Sequence, residues 1–420
     1  MAIRVQELSS ESERVGAGGS VPLPAVLRMF WAGSLVAFAM MLLVSYIEYR
    51  MGFKQPHYNP LGGDRYQDLM EFWPAYKPLH SAAFFGANGY SHVAYPPFGA
   101  AIYALVYGTG HPVVFYLGTA AVWLAAGVWG VRRELIAQGI GRVTATLFPL
   151  TVALVGFPIA GLLQRGNIEL FLWVIAATGT WAFLRGRENG AAVLWGMAAA
   201  IKMYPVLLLA LLLPRRRWRA LAVGAGSMVA TTLLSAAWLG PTMTAALRGA
   251  LRNTFGYQAV RASQWTLHEL MANHTAFDLA KFGALLTGVP LAKLMLPYYA
   301  CGALMMGLAF FGKLWKMPVA NQLLAVTAFM VMLPPVSYFY SLVHLYAPWL
   351  VLVFVAIHAQ KAGVDAQGLK LTMLLFVGLF ASFMLFSFPR VYLYGGLVQG
   401  GMLAMLFLCA LQYPLGVDEA

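Results

Sequence analysis

Three carboxylates stand close together in the stretch GGDRYQDLMEFWPAY (62–76): Asp64, Asp68 and Glu71. The chain has only 15 acids in 420 residues, so this one segment holds a fifth of them. At these spacings the three share a face if the segment is helical. Like charges in such proximity repel, which favours proton uptake by one of them, the behaviour a general base needs. The other use of such a run is to keep a loop in water, and spacing alone does not separate the two.

Further reactive groups are scattered along the chain. Lys202-Met-Tyr-Pro205 puts a charge and a helix-breaking proline into the middle of an apolar run. A lysine there is costly unless it faces a polar cavity or bonds the backbone carbonyls that the proline frees. Gln164-Arg165-Gly166-Asn167 reads as a polar turn. Tyr95-Pro-Pro-Phe98 reads as a helix start, where missing N–H groups would go unpaired anyway. His274 sits in Ala272-Asn-His-Thr-Ala276, and His344 follows Tyr340 by one helical turn, on the same face of an expected helix. No His and Asp cluster has metal-ligand spacing, so neither metal nor other cofactor is expected. Cys301 and Cys409 fall in apolar runs and suggest no disulfide framework.

The elements that must position these groups are membrane helices. The chain is 60% hydrophobic and 10% charged, with a mean hydropathy of +0.70; soluble domains carry about 25% charged residues. Continuous apolar runs such as 25–47 and 369–388 are long enough to cross a bilayer. They lack the alternation of a β-barrel. The fold class is therefore an all-α polytopic membrane protein. Its net charge of +13 is read as orientation by cytoplasmic Lys and Arg, with no nucleic-acid partner.

Residues 1–24 read as a disordered cytoplasmic tail, 25–414 as one membrane domain opening with an uncleaved anchor, and 415–420 as a second cytoplasmic tail. The basic turns 132–143, 185–189, 214–219, 313–318 and 359–370 belong in the cytoplasm. The extracytoplasmic side then receives the long loops 48–96 and 241–289 and the turns 164–167, 337–339 and 389–393. Because 190–213 lies between two basic turns, it must leave and return on one side, as a re-entrant hairpin of two half-helices. Residues 97–131 must make one net crossing, as a helix broken near Gly108–Pro112. The other crossings are 144–163, 168–184, 220–240, 290–311, 319–336, 340–358, 369–388 and 394–414. About eleven to thirteen transmembrane or re-entrant helices follow. No acid falls at the centre of a span; Glu48, Asp64, Asp68, Glu71, Glu169, Glu269 and Asp278 all lie in outer loops or near the outer face. That argues against proton relays. Arg165 stands on the side that the charge bias disfavours, which suggests an anionic partner.

These motifs together resemble glycosyltransferase family 87, of the integral-membrane GT-C type. Asp68-Leu-Met-Glu-Phe72-Trp73 is similar to the family's Asp-Phe-x-x-aromatic-aromatic signature, and Tyr95-Pro-Pro-Phe98 to its Tyr-Pro-Pro. Gln164-Arg-Gly-Asn167 resembles its Gly-Gln-x-Asn turn, with Arg and Gly in altered places. Ala199-Ala-Ile-Lys202-Met-Tyr-Pro205 follows its Ala-x-x-Lys-x-x-Pro pattern, and the His274 stretch its Asn-His-Ser. Pro334-Pro-Val-Ser337-Tyr338-Phe339-Tyr340 departs from its Ser-Pro-x-Ser-Trp-x-His-His turn, since Tyr338 replaces Trp while Tyr340 and Ser341 replace the histidines. The resemblance covers roughly 25–355.

It implies a GT-C-type bundle in a bacterial inner or plasma membrane, working on the extracytoplasmic face. The implied reaction moves a sugar, most often mannose and sometimes arabinofuranose, from a polyprenyl-phosphate donor to a hydroxyl of a lipid or glycan. The best-known members are alpha-1,2-mannosyltransferases. Asp68 maps onto the catalytic base of an inverting single displacement. Asp64, Glu71, Tyr95, Gln164, Arg165, Asn167, Lys202, His274, Tyr340 and His344 become candidate substrate contacts. Three other readings compete: a purely structural membrane protein, against which Lys202, Tyr204 and Pro205 argue; a polyprenyl-lipid flippase or transporter; and a glycan polymerase or ligase using a pyrophosphate-linked donor. The last would draw on Arg248, Arg252, Arg261 and His268.

Overall fold

A computed structural model describes residues 21–52, 66, 68–69, 80, 95–263, 284, 286–334, 337, 339–363, 367–385 and 392–416. Among them every regular element is a helix, and the sole β contact is an isolated bridge between Val21 and Ile140. The first helices are α1 (Ala25–Arg50), α2 (Pro97–Gly108), α3 (Pro112–Ala137), α4 (Arg142–Val155) and α5 (Phe157–Arg165). Then come α6 (Glu169–Leu184), α7 (Glu188–Ile201), a 3-10 segment over Tyr204–Leu212, α8 (Trp218–Leu239) and α9 (Met243–Ser263). The last part comprises α10 (Leu291–Gly312), α11 (Val319–Met332), a 3-10 segment over Phe339–Leu345, α12 (Tyr346–Ala362), α13 (Gln367–Leu385) and α14 (Tyr392–Gln412).

Among the described residues five spans are long and apolar enough to cross a membrane alone, and the bent pair α4–α5 is long and apolar enough for a sixth if its two helices form one broken span. Five shorter apolar helices fill the bundle between them. The chain is thus an all-α polytopic membrane protein.

Several expectations are corrected in detail. The stretch 144–163 is not one straight helix: α4 and α5 meet at a 50° bend. Gly156 is extended there, and Pro158 has no N–H to continue the ladder. In 97–131 the break falls where expected, at Thr109–His111, but the halves are unequal. The 26 residues of α3 suffice to cross by themselves. The first half of the shorter α2 packs beside Ile168, in the turn before α6. A side chain at Gly99 would meet Ile168 and the Ile201 carbonyl, and the Tyr103 hydroxyl accepts from Ile168 N at 3.1 Å. The first part of 241–289 is the helix α9 rather than a loop. Both expected tails are partly docked: Val21 N donates to the Gly139 carbonyl at 2.9 Å, and Leu415 N to Asn321 Oδ1 at 2.8 Å.

The segment 190–213 does form a hairpin. Its return limb is the 3-10 helix 204–212, opened by Pro205. Nine residues at about 2.0 Å each reach nearly as far as the 14 of α7 at about 1.5 Å. Both limbs therefore end at the basic end of the bundle, where Glu188 pairs with Arg217 at 2.8 Å and Arg215 at 3.7 Å. Lys361 donates to Gln138 at 2.9 Å and so ties two further basic turns together. Since α6 runs 16 residues from Glu169 to Leu184, Glu169 lies about 24 Å from its basic end.

The hairpin is seated on α8 through glycine. A Cβ on Gly196 would lie 2.2 Å from the Gly224 carbonyl oxygen and 3.0 Å from Met228 N, both backbone atoms. Gly196→Ala is expected to force the two helices apart and cost about 1–3 kcal/mol. Thermal unfolding in detergent reads the effect; an unchanged midpoint would mean that the helices yield freely.

Candidate active site

The site begins at the turn between α5 and α6. Gly166 is left-handed at φ +67° and stops α5. The segment carrying Asp68 packs directly on it. Tyr66 N donates to the Gln164 carbonyl at 2.7 Å, and the Tyr107 hydroxyl of α2 donates to the Leu69 carbonyl. A Cβ on Gly166 would stand 3.1 Å from both Tyr66 Cα and Leu69 Cβ. Gly166→Ala is therefore strained twice, by the left-handed backbone and by the seated loop. A displacement of about 1 Å can cost up to about 100-fold in rate, so transfer per folded molecule should fall by tenfold or more. Full activity would show that the loop is not held there.

Asp68 is buried and both its oxygens are engaged. Arg165 Nη2 donates to Oδ1 and Asn167 Nδ2 to Oδ2, each at 2.6 Å. Asn167 is itself locked, since its Oδ1 accepts from Glu169 N at 3.0 Å. The same amide nitrogen lies 3.3 Å from the Tyr340 hydroxyl. The expected acidic neighbours Asp64 and Glu71 lie outside the described residues, as does His274. The partners of Asp68 described here are a cation and an amide.

A second carboxylate stands two residues beyond Asn167. Glu169 has no exposed surface and accepts from three elements. Lys202, at the hairpin tip, bonds Oε2; the Tyr204 hydroxyl bonds Oε1; His344 Nε2 lies 2.7 Å from Oε1. Tyr204 and His344 also meet at 3.3 Å. Lys202 is extended where α7 ends, and its ammonium lies over the rings of Tyr95 at 5.9 Å and Tyr340 at 5.8 Å. Each contact suits a desolvated cation.

The structure thus gathers Asp68, Tyr95, Arg165, Asn167, Lys202, Tyr340 and His344, with Gln164 contributing its carbonyl. One expectation needs correcting. Tyr340 and His344 do not share a face, because 339–345 is a 3-10 helix with about three residues per turn. Tyr340 reaches Asn167, while His344, only 3% exposed, is turned to Glu169. Ser341 meets Ser337 at 2.6 Å. Glu169, Tyr204 and Gly166 were missed by sequence reasoning. The signal for Glu169 was the lysine itself, since a cation in an apolar hairpin needs a counter-ion and few acids were available. Among the described residues no group of three or more His, Cys, Asp or Glu gathers as a metal site.

Buried, charge-paired side chains gather at one end of an apolar helical bundle, and basic turns at the other, in a polytopic membrane protein. The chain belongs to glycosyltransferase family 87, whose family model matches residues 93–335. It is a membrane glycosyltransferase. Site residues from Tyr95 to Tyr204 fall inside the matched stretch; Asp68, Tyr340 and His344 lie outside it and are joined to it by the hydrogen bonds above. No curated protein and no solved structure matches the chain.

Proposed function

We propose that the protein transfers a sugar, mannose in the first instance, from a polyprenyl-phosphate donor to a hydroxyl of a lipid or glycan acceptor at the extracytoplasmic face. The observation that carries this reading is Asp68, a buried carboxylate held on both oxygens by Arg165 and Asn167, with Tyr340 reaching Asn167 on one side and lying under the Lys202 cation on the other. In the step, the acceptor oxygen bonds to the anomeric carbon as its proton passes to Asp68. The bond from that carbon to the phosphate oxygen breaks, and its electron pair leaves with the polyprenyl phosphate. One displacement inverts the anomeric centre. Lys202 and Arg165 are the cations suited to the phosphate, whose charge grows as it departs. Orientation follows from the basic turns, which belong in the cytoplasm and leave this site on the other side.

The test uses purified protein with radiolabelled polyprenyl-phosphate-mannose, polyprenyl-phosphate-arabinose in parallel, and a crude lipid and glycan extract as acceptor. Label moving from the mannosyl carrier to an extract component is the expected result. Movement from the arabinosyl carrier alone would change the sugar. Label remaining on both carriers would overturn the donor class.

A further inference from the structure

We infer that Glu169 is the positioning residue of this site, the fixed point from which the hairpin tip aims Lys202. The inference rests on the transferase reading above for its kinetic consequence, though not for its structural one. Glu169 is fully buried, whereas the Lys202 side chain keeps 20% of its surface. The cation thus keeps accessible surface, while the acid that holds it has none and is the less placed of the two to touch a substrate. The carboxylate also gathers the hairpin tip (Lys202, Tyr204) and the 3-10 segment (His344), two elements that meet as well through Tyr204 and His344 and through Lys202 over Tyr340.

The register of one helix start makes this arrangement useful. Asn167 holds Asp68, and Glu169, two residues on, holds Lys202; Glu169 N bonds Asn167 Oδ1, so the two holders move as one. The separation between base and cation is thereby set within a single turn. Removing the Glu169 charge should release Lys202 while leaving Asp68 on Arg165 and Asn167. A freed ammonium still attracts phosphate from a distance, but it is no longer placed where charge develops as the donor bond breaks.

Glu169→Gln should therefore lower kcat by about 100-fold while donor KM changes by less than about threefold. Glu169→Asp, which keeps the charge, should restore part of the rate. In a Lys202→Met background, Glu169→Gln should change kcat by less than about threefold, since the two residues do one job. A merely structural role predicts instead that kcat per folded molecule is unchanged in Glu169→Gln, and a kinetic role independent of Lys202 predicts that the two losses add in the double variant.

A second arm needs no donor. Labelling of Lys202 by an amine-reactive reagent, read by mass spectrometry, should be slow in the wild type and in Asp68→Asn. It should be several-fold faster in folded Glu169→Gln, with the unfolding midpoint recorded alongside. If no carrier supports transfer by the wild type, the proposed function fails and the labelling still decides the role of Glu169. Equal labelling of Lys202 in wild type and Glu169→Gln would overturn the inference.

Discussion

Asp68→Asn is expected to cut turnover by about a thousandfold, within the range a general base contributes, with the protein still folded. Asparagine keeps the shape of the side chain but cannot take the acceptor proton. It also presents one acceptor where Asp68 presents two. Arg165 and Asn167 each aim a donor at a separate oxygen, at 2.6 Å, so one of them loses its partner. An unmatched buried donor costs about 1–3 kcal/mol; the melting point should drop modestly, and transfer per folded molecule should collapse. Donor KM should stay near the wild-type value, because the carboxylate serves the acceptor hydroxyl rather than the phosphate. Initial rates with the labelled carrier and a thermal melt separate the two effects. Turnover within a few-fold of wild type would remove Asp68 as the base.

The parts of this site that were legible in sequence are those for which one residue violates its surroundings. Lys202 and Pro205 inside an apolar run cannot continue a plain helix, and the hairpin follows from them with the flanking basic turns. The acidic first loop and the polar turn at 164–167 stood out by the same logic. Pairings between segments were not legible. Glu169 opens an apolar helix and looks from sequence like an ordinary acid in a first turn, favourable there on dipole grounds alone. Its burial comes from α7, the 204–212 limb and the 339–345 segment converging on it, and no local pattern encodes that convergence. The division of Tyr340 from His344 was hidden for a different reason. A spacing of four means one face only in an α-helix, and nothing in the local composition announced the 3-10 register. The bend at Gly156 was readable in Pro158, but apolar continuity outweighed it.

Lys202→Met should separate stability from chemistry. Methionine matches the lysine stem and removes only the ammonium, leaving Glu169 with Tyr204 and His344 but without its cation. A buried charge stripped of its partner costs about 3–5 kcal/mol, so the variant should unfold at markedly lower temperature or denaturant concentration. Adding Glu169→Gln removes the stranded charge, and the double variant should recover most of that loss. It should not recover turnover, since the phosphate still lacks its cation. Unfolding in detergent and transfer from the labelled carrier, measured on the same three proteins, decide the matter. A double variant less stable than Lys202→Met would show that the ion pair is not what holds the hairpin tip. Recovery of stability without activity would mean that an apolar tip folds as well as the charged one. A buried pair that adds little net stability then has its function in the reaction: Lys202 is retained for the donor phosphate, and Glu169 is the residue that allows a lysine to be kept at that depth.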